Sequence, residues 1–184
     1  MKYKMGNFFS EYKSDIKSLS ADKSKLKIGI FGSFAKNNFI FLENLKSGLI
    51  KRGYKNCSFS KDYEIYAVKD DSKNGDDINL AASEMLIDNS QAHILFFFRE
   101  DDVNTPYNQS AIIEIAKIDE RNMDNVLVLY EEEFTEKQCK TLFRGIISRH
   151  DKDKNWVQES FSKSDDNYTL DVASAFCYNC LLED

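Results

Sequence analysis

Three side chains in one short stretch could do chemistry together. Glu114 follows Ser110 by four residues and Asn108 by six, within Asn108-Gln-Ser-Ala-Ile-Ile-Glu114. On a helix, positions four apart lie on one face, so Ser110 and Glu114 are expected side by side. The neighbours of Glu114 are Ile112, Ile113, Ile115 and Ala116, which makes it a lone carboxylate in an apolar stretch. Such an acid suits reactions that develop positive charge, because it can steady a cationic carbon or capture it covalently. The structural alternative is an acid on the solvent face or one paired with Arg99 or Lys117. A second candidate lies some eighty positions earlier, in Lys27-Ile-Gly-Ile-Phe-Gly-Ser-Phe34. There an apolar run enters a glycine turn, Gly32-Ser33-Phe34. Backbone N–H groups at such a turn, beside a helix start, suit a phosphate or ribose hydroxyls. The spacing of Gly29 and Gly32 is neither G-x-G-x-x-G nor a P-loop. A simple tight turn is the competing reading.

Positioning these groups requires elements whose ends meet. Residues 26–31 form an apolar run without helical period, which predicts a first strand. Phe39, Leu42, Leu45 and Leu49 repeat at three and four, which predicts a helix over 38–52 that stops at Gly53. A modest strand is expected over 55–60, then a polar loop over 62–77 that holds one short strand at 64–68. A helix over 78–88 precedes 92–98, the most apolar segment, expected as a central strand buried on both faces. Helix 110–121, capped by Asn108 or Ser110, strand 125–130, helix 134–149, a polar stretch 150–167 and helix 168–182 complete the chain. An amphipathic helix over 5–19 precedes the first strand. Strand and helix alternate from residue 26 onward, which predicts right-handed βαβ crossovers. The expected fold is α/β: a three-layer, flavodoxin-like (Rossmannoid) domain with a mainly parallel sheet and helices on both faces. We expect one domain over 1–184, with a helical extension at 1–24, a core at 25–131 and C-terminal helices at 132–184. Parallel strands bring Gly32, Ser33, Phe34, Asp62, Arg99, Asn108, Ser110 and Glu114 to one sheet edge. Asp62, Asp101 and Asp102 are candidate proton donors at that edge, and Phe34, Tyr63 or Tyr107 are candidates to stack on a flat ligand.

Bulk properties narrow the partners. The chain has 184 residues, 42% hydrophobic and 30% charged, with a net charge of −6. It is long enough for one full core and short for two. A nucleic-acid partner is not expected, because the N-terminal lysines are interleaved with Glu11, Asp15 and Asp22. The longest apolar run, 94–98, is too short to span a bilayer, and no signal-type region opens the chain. The expectation is a cytoplasmic protein with no membrane partner. Cys57, Cys139, Cys177 and Cys180 do not form metal-type pairs. The Cys177–Cys180 spacing falls on an apolar helical face, and structural thiols are the expected reading.

The order of pieces resembles the nucleoside 2-deoxyribosyltransferase-like family and the neighbouring TIR-like domains. The pieces are Ile28-Gly-Ile-Phe-Gly-Ser-Phe34, Phe41-Leu-Glu-Asn-Leu-Lys-Ser-Gly-Leu-Ile-Lys-Arg-Gly-Tyr54 and Ala82-Ser-Glu-Met-Leu-Ile-Asp-Asn-Ser-Gln-Ala-His-Ile-Leu-Phe96. Asn108-Gln-Ser-Ala-Ile-Ile-Glu-Ile-Ala116 and Asn125-Val-Leu-Val-Leu-Tyr130 follow them. The likeness runs over residues 26–131. It implies a flavodoxin-like sheet and cleavage or transfer at the N-glycosidic bond of a nucleoside or nucleotide, with NAD a candidate substrate and no resident cofactor or metal. It implies that Glu114 is the nucleophile or stabiliser of the sugar cation. Where the transferases commonly carry Asp, this chain has Asn108, which cannot donate a carboxylic proton but can bind a sugar hydroxyl. The remaining candidate contacts are Gly32, Ser33, Phe34, Asp62, Arg99 and Ser110. A non-catalytic nucleotide-sensing or protein-interaction module is the alternative, and the flanking helices offer contacts for a homo-oligomer.

Overall fold

The computed structural model describes residues 22–68, 75–99, 108–132, 145–150 and 156–182. The expected helix over 5–19 and most of that over 134–149 lie outside them, as do Asp101, Asp102, Tyr107 and Cys139. Five strands form one sheet: β1 (Lys27–Phe31), β2 (Asn56–Ser58), β3 (Ala92–Phe97), β4 (Val126–Glu131) and β5 (Trp156–Phe161). Every neighbouring pair is parallel and the order is β2-β1-β3-β4-β5. With helices on both faces, this is the three-layer flavodoxin-like fold.

Side-chain alternation along the strands divides the core in two. Ile28, Ile30, Ile94, Phe96, Leu127 and Leu129 point to one face. There they meet α1 (Lys36–Lys51) and the last helix, α4 (Asp166–Cys180), through Phe41, Leu42, Leu45, Ala173 and Cys177. Phe31, Leu95, Phe97, Val126 and Val128 point to the other. They meet α2 (Gly75–Asn89) and α3 (Gln109–Glu120) through Leu86, Ile87, Ala111, Ile115 and Ile118. β3 is buried at all six positions, as expected of a central parallel strand. α1 ends where the sequence places its terminator: Gly53 has φ 103°, and its N–H donates to the Ile50 carbonyl.

Two expectations are corrected. The segment 64–68 is not a strand; Glu64–Ala67 is a single helical turn that continues a 3-10 turn, Ser60–Tyr63. The Asp62 carboxylate accepts from the Phe59 N–H at 2.8 Å, which closes that turn and ends β2 at Ser58. The region 132–184 is not helical alone, because Trp156–Phe161 adds the fifth strand. Its sequence, Trp-Val-Gln-Glu-Ser-Phe, shows only its two ends buried, as fits an edge strand whose middle faces water. Those ends anchor it. Trp156 Nε1 donates to the Met123 carbonyl at 3.1 Å. The Phe161 ring lies 5.2 Å from those of Phe41 and Phe96 and 5.7 Å from that of Phe98. Phe161→Ala should therefore cost about 3–5 kcal/mol, the usual range for emptying a buried aromatic site. Urea unfolding measures it, and a loss under 1 kcal/mol would show that β5 is not part of the cooperative core.

Candidate functional site

The C-terminal sheet edge carries two clusters, with Glu114 set apart from both. The first joins β1 to β3. Gly32 follows β1 at φ 154°, buried against β3. A Cβ there would lie 3.2 Å from Phe96 Cβ and 3.3 Å from the Phe96 carbonyl oxygen, so only glycine allows this approach without a shift. Phe98 closes the same corner, 3.3 Å from that hypothetical Cβ. Asn108 holds Phe98 at both peptide groups: its Oδ1 accepts from the Phe98 N–H at 2.8 Å, and its Nδ2 donates to the Phe98 carbonyl at 2.7 Å. Asn108 is buried and sits at the first position of the α3 entry, yet its side chain makes no cap bond to the helix. The structure thus gives Asn108 a backbone-clamping role. Beside it, the Arg99 N–H donates to Glu131 Oε2 at 2.8 Å, and Lys163 pairs with the same oxygen at 3.0 Å.

The second cluster lies over α1 and the end of β2. The rings of Phe34, Phe39 and Phe59 pack at 5.5–5.9 Å. Lys61 Nζ stands 5.1 Å from the Phe34 ring and 4.4 Å from the Phe39 ring, within cation–π range. Asp62 accepts from Lys46 Nζ at 2.8 Å as well as capping its own turn. Ser33 is buried, and its Oγ accepts from the Ala35 N–H at 3.3 Å. No side chain caps the N-terminus of α1 among the described residues, which leaves its first amides facing the turn.

Glu114 lies between α2 and α3. Only 2% of it is exposed. Ser83 Oγ, on α2, donates to Glu114 Oε1 at 2.9 Å, and Oε2 has no partner among the described residues. Ser110, expected on the same face, is exposed at the first turn instead. Neither Arg99 nor Lys117 is its partner: Lys117 pairs with Glu84 and Glu120. Three cavities of about 470, 280 and 560 Å³ lie against α1 and α4, along β2, and beside Tyr63 and Tyr66. Glu114 lines none of these. Ser83 and Lys61 escaped the reading of the sequence. The available signal for Ser83 was a hydroxyl beside Ala82, one turn before the apolar Leu86 and Ile87 of α2.

Among the described residues, no group of three or more His, Cys, Asp or Glu could hold a metal ion. Cys57, Cys177 and Cys180 are buried and in no disulfide; for Cys177 and Cys180 this matches the expected structural thiols on one helix face. Burial pushes the Cys57 thiol up to about 12 and that of Cys177 higher than its ordinary value, so neither is primed as a nucleophile. No described helix is long and apolar enough to cross a membrane.

No protein-family model matches the sequence, and no curated protein matches it. Among solved structures, the chain aligns with the metal-soaked Flv1 flavodiiron core from Synechocystis sp. PCC6803. The identity is 12%, the TM-score is 0.46, and the alignment takes in 100% of this chain and 42% of that one. A likeness so slight carries no argument about this chain.

Two predictions follow from the buried polar groups. Asn108→Ala orphans both Phe98 peptide groups and should cost about 2–4 kcal/mol. Asn108→Asp sets a carboxylate oxygen against the Phe98 carbonyl. It should therefore destabilise more at pH 8 than at pH 4, where the protonated acid can still donate. Urea titrations at both pH values check the ordering.

Burial pushes the Glu114 carboxyl from its ordinary 4.5 up to about 7, while the Ser83 hydroxyl pulls it partly back. The unfolded chain loses this proton near the ordinary value, and the folded protein keeps it to about 7. Between those values the folded state binds the extra proton. Stability from this group is therefore full below about pH 4.5, falls as pH rises through the window, and stays lower above it, by about 3 kcal/mol in all. Glu114→Gln should remove that fall and be the more stable form at pH 8. Comparing the two proteins isolates Glu114 from His93, whose buried imidazole is shifted down and acts in the opposite sense. Parallel stability curves from pH 5 to pH 8 would show an ordinary carboxylate.

Proposed function

We propose that the chain binds a nucleoside or nucleotide at the C-terminal sheet edge and cleaves or transfers its N-glycosidic bond, in the manner of the nucleoside 2-deoxyribosyltransferase-like and TIR-like proteins it resembles. The carrying observation is Glu114: a carboxyl on the helix after β3, buried, with no ionic partner and one oxygen unbonded among the described residues, and raised to about 7. A strongly perturbed acid at this place in a flavodoxin-like fold is a functional candidate on physical grounds. Breaking a sugar–base bond leaves positive charge on the anomeric carbon. That charge favours the ionised carboxylate that the apolar seam otherwise disfavours. The uncapped start of α1 and the Gly32–Ser33 turn support a phosphate or sugar-hydroxyl contact at the same edge. NAD is one candidate substrate. Because Glu114 is covered in this conformation, turnover requires Oε2 to be uncovered while the Ser83 contact to Oε1 is kept.

The second reading is a nucleotide-sensing or protein-interaction module without chemistry. Two observations favour it: the coverage of Glu114, and the commitment of the Asn108 amide to Phe98. Incubating purified protein with NAD and a panel of nucleosides, with base release followed by chromatography, separates the two. The first reading expects release, reduced about 10²–10⁴-fold in folded Glu114→Gln. A thermal shift with ligand and no release in any condition would establish the second.

A further inference from the structure

We propose that Ser83 is the positioning residue of the site: its hydroxyl holds Glu114 Oε1 across the α2–α3 seam and so assigns Oε2 as the oxygen that meets the reacting sugar carbon. This rests on the role proposed above for Glu114. The geometry is specific. Ser83 Oγ donates to Oε1 at 2.9 Å, whereas Oε2 is buried with no hydrogen-bond partner among the described residues. A carboxyl anchored through one oxygen keeps its plane and aims the other, which is what a reacting group needs from its supports.

Nothing else among the described residues takes that task. α3 packs on α2 and β3. From α2, Glu84 pairs with Lys117 and Arg121, and Asp88 pairs with Arg121. Asp76 and Asp77 lie in the first turn of that helix, well before Ser83. On α3 itself, Asp119 holds Arg149 and His150, and Glu120 pairs with Lys117. From β3 the titratable side chain is His93, whose Nε2 lies 3.1 Å from the Ile87 carbonyl. Among the described residues, the proton affinity of Glu114 answers to burial and to the Ser83 hydroxyl.

A hydroxyl donates more strongly to a carboxylate than to the neutral acid, so its removal raises the proton affinity of the acid. The test is a 13C NMR titration of protein labelled at its Glu carboxyls, with Glu114→Gln assigning the resonance. Ser83→Ala should move the Glu114 midpoint upward by about 0.5–1 pH unit, and Ser83→Thr should restore it. Alanine suits a helix interior, so the fold is expected to survive, and a thermal melt verifies that. In base-release assays, Ser83→Ala should lower kcat about tenfold with KM little changed and shift the pH profile in the same direction as the midpoint. An unmoved midpoint overturns the inference whatever the activity. A moved midpoint with unchanged kcat in an active protein overturns the positioning role alone. A moved midpoint in a wild-type protein that releases no base instead refutes the reaction proposed for Glu114, and the positioning role with it.

Discussion

β3 has no face that water reaches. Its side chains are covered on both sides, and its backbone is taken by β1 and β4 as far as the ladder runs. Where the ladder ends, the next peptide groups are still buried, and buried backbone polar groups must be paired. Asn108 supplies that pairing by binding Phe98 at both N–H and carbonyl. A side-chain amide matches a peptide edge in shape and in donor–acceptor order, which neither an ionised Asp nor a Leu does. The clamp fixes where α3 begins relative to the end of β3. The start and pitch of a helix set which residues lie inward, so this pairing also determines what α3 shows to α2.

The inward stripe of α3 is Ala111, Glu114, Ile115 and Ile118, spaced at three and four. An acid falls within it. At the rim of the same seam, Glu84, Asp88, Lys117 and Arg121 form partly exposed ion pairs, each worth little. The seam is thus charged where water screens it, and where water does not reach it holds Glu114, an acid with no ionic partner among the described residues. A structural salt bridge would put a cation beside that acid. The position offers only the Ser83 hydroxyl, which satisfies one oxygen.

The parts of this arrangement that depend on local pattern were legible in the sequence. The apolar runs of β1, β3 and β4, the three-and-four spacing in α1 and the Gly53 stop each follow from their own residues. So did the gathering of strand ends at one edge, which follows from alternation and handedness. What depends on partners was not legible. β5 has only its ends buried, so no alternation announces it; its pairing to β4 and its aromatic anchors make it a strand. The Ile65-Tyr66-Ala67 stretch has strand-like composition, but Asp62 closes a turn that carries the chain into a helix. Ser110 and Glu114 stand four apart on α3, yet one is wet and the other dry. Burial depends on where the neighbouring helix lies, and no periodicity contains that. For the same reason the contact between Ser83 and Glu114, thirty-one residues apart, could not be read from either segment.

The remaining question is why the stripe carries an acid at all. Isoleucine would continue it without the cost of desolvating a carboxyl, and glutamine would keep a hydrogen bond to Ser83 without ionising. Glutamate alone can change charge there. In its apolar setting the neutral form prevails up to about pH 7, so the negative form is favoured chiefly when positive charge comes alongside. An acid of that kind responds little to a neutral ground state and strongly to a cationic one. Under the proposed reaction this is the useful property for a neutral nucleoside: it is uncharged when bound and its sugar becomes cationic as the base departs, so the interaction strengthens where the barrier lies.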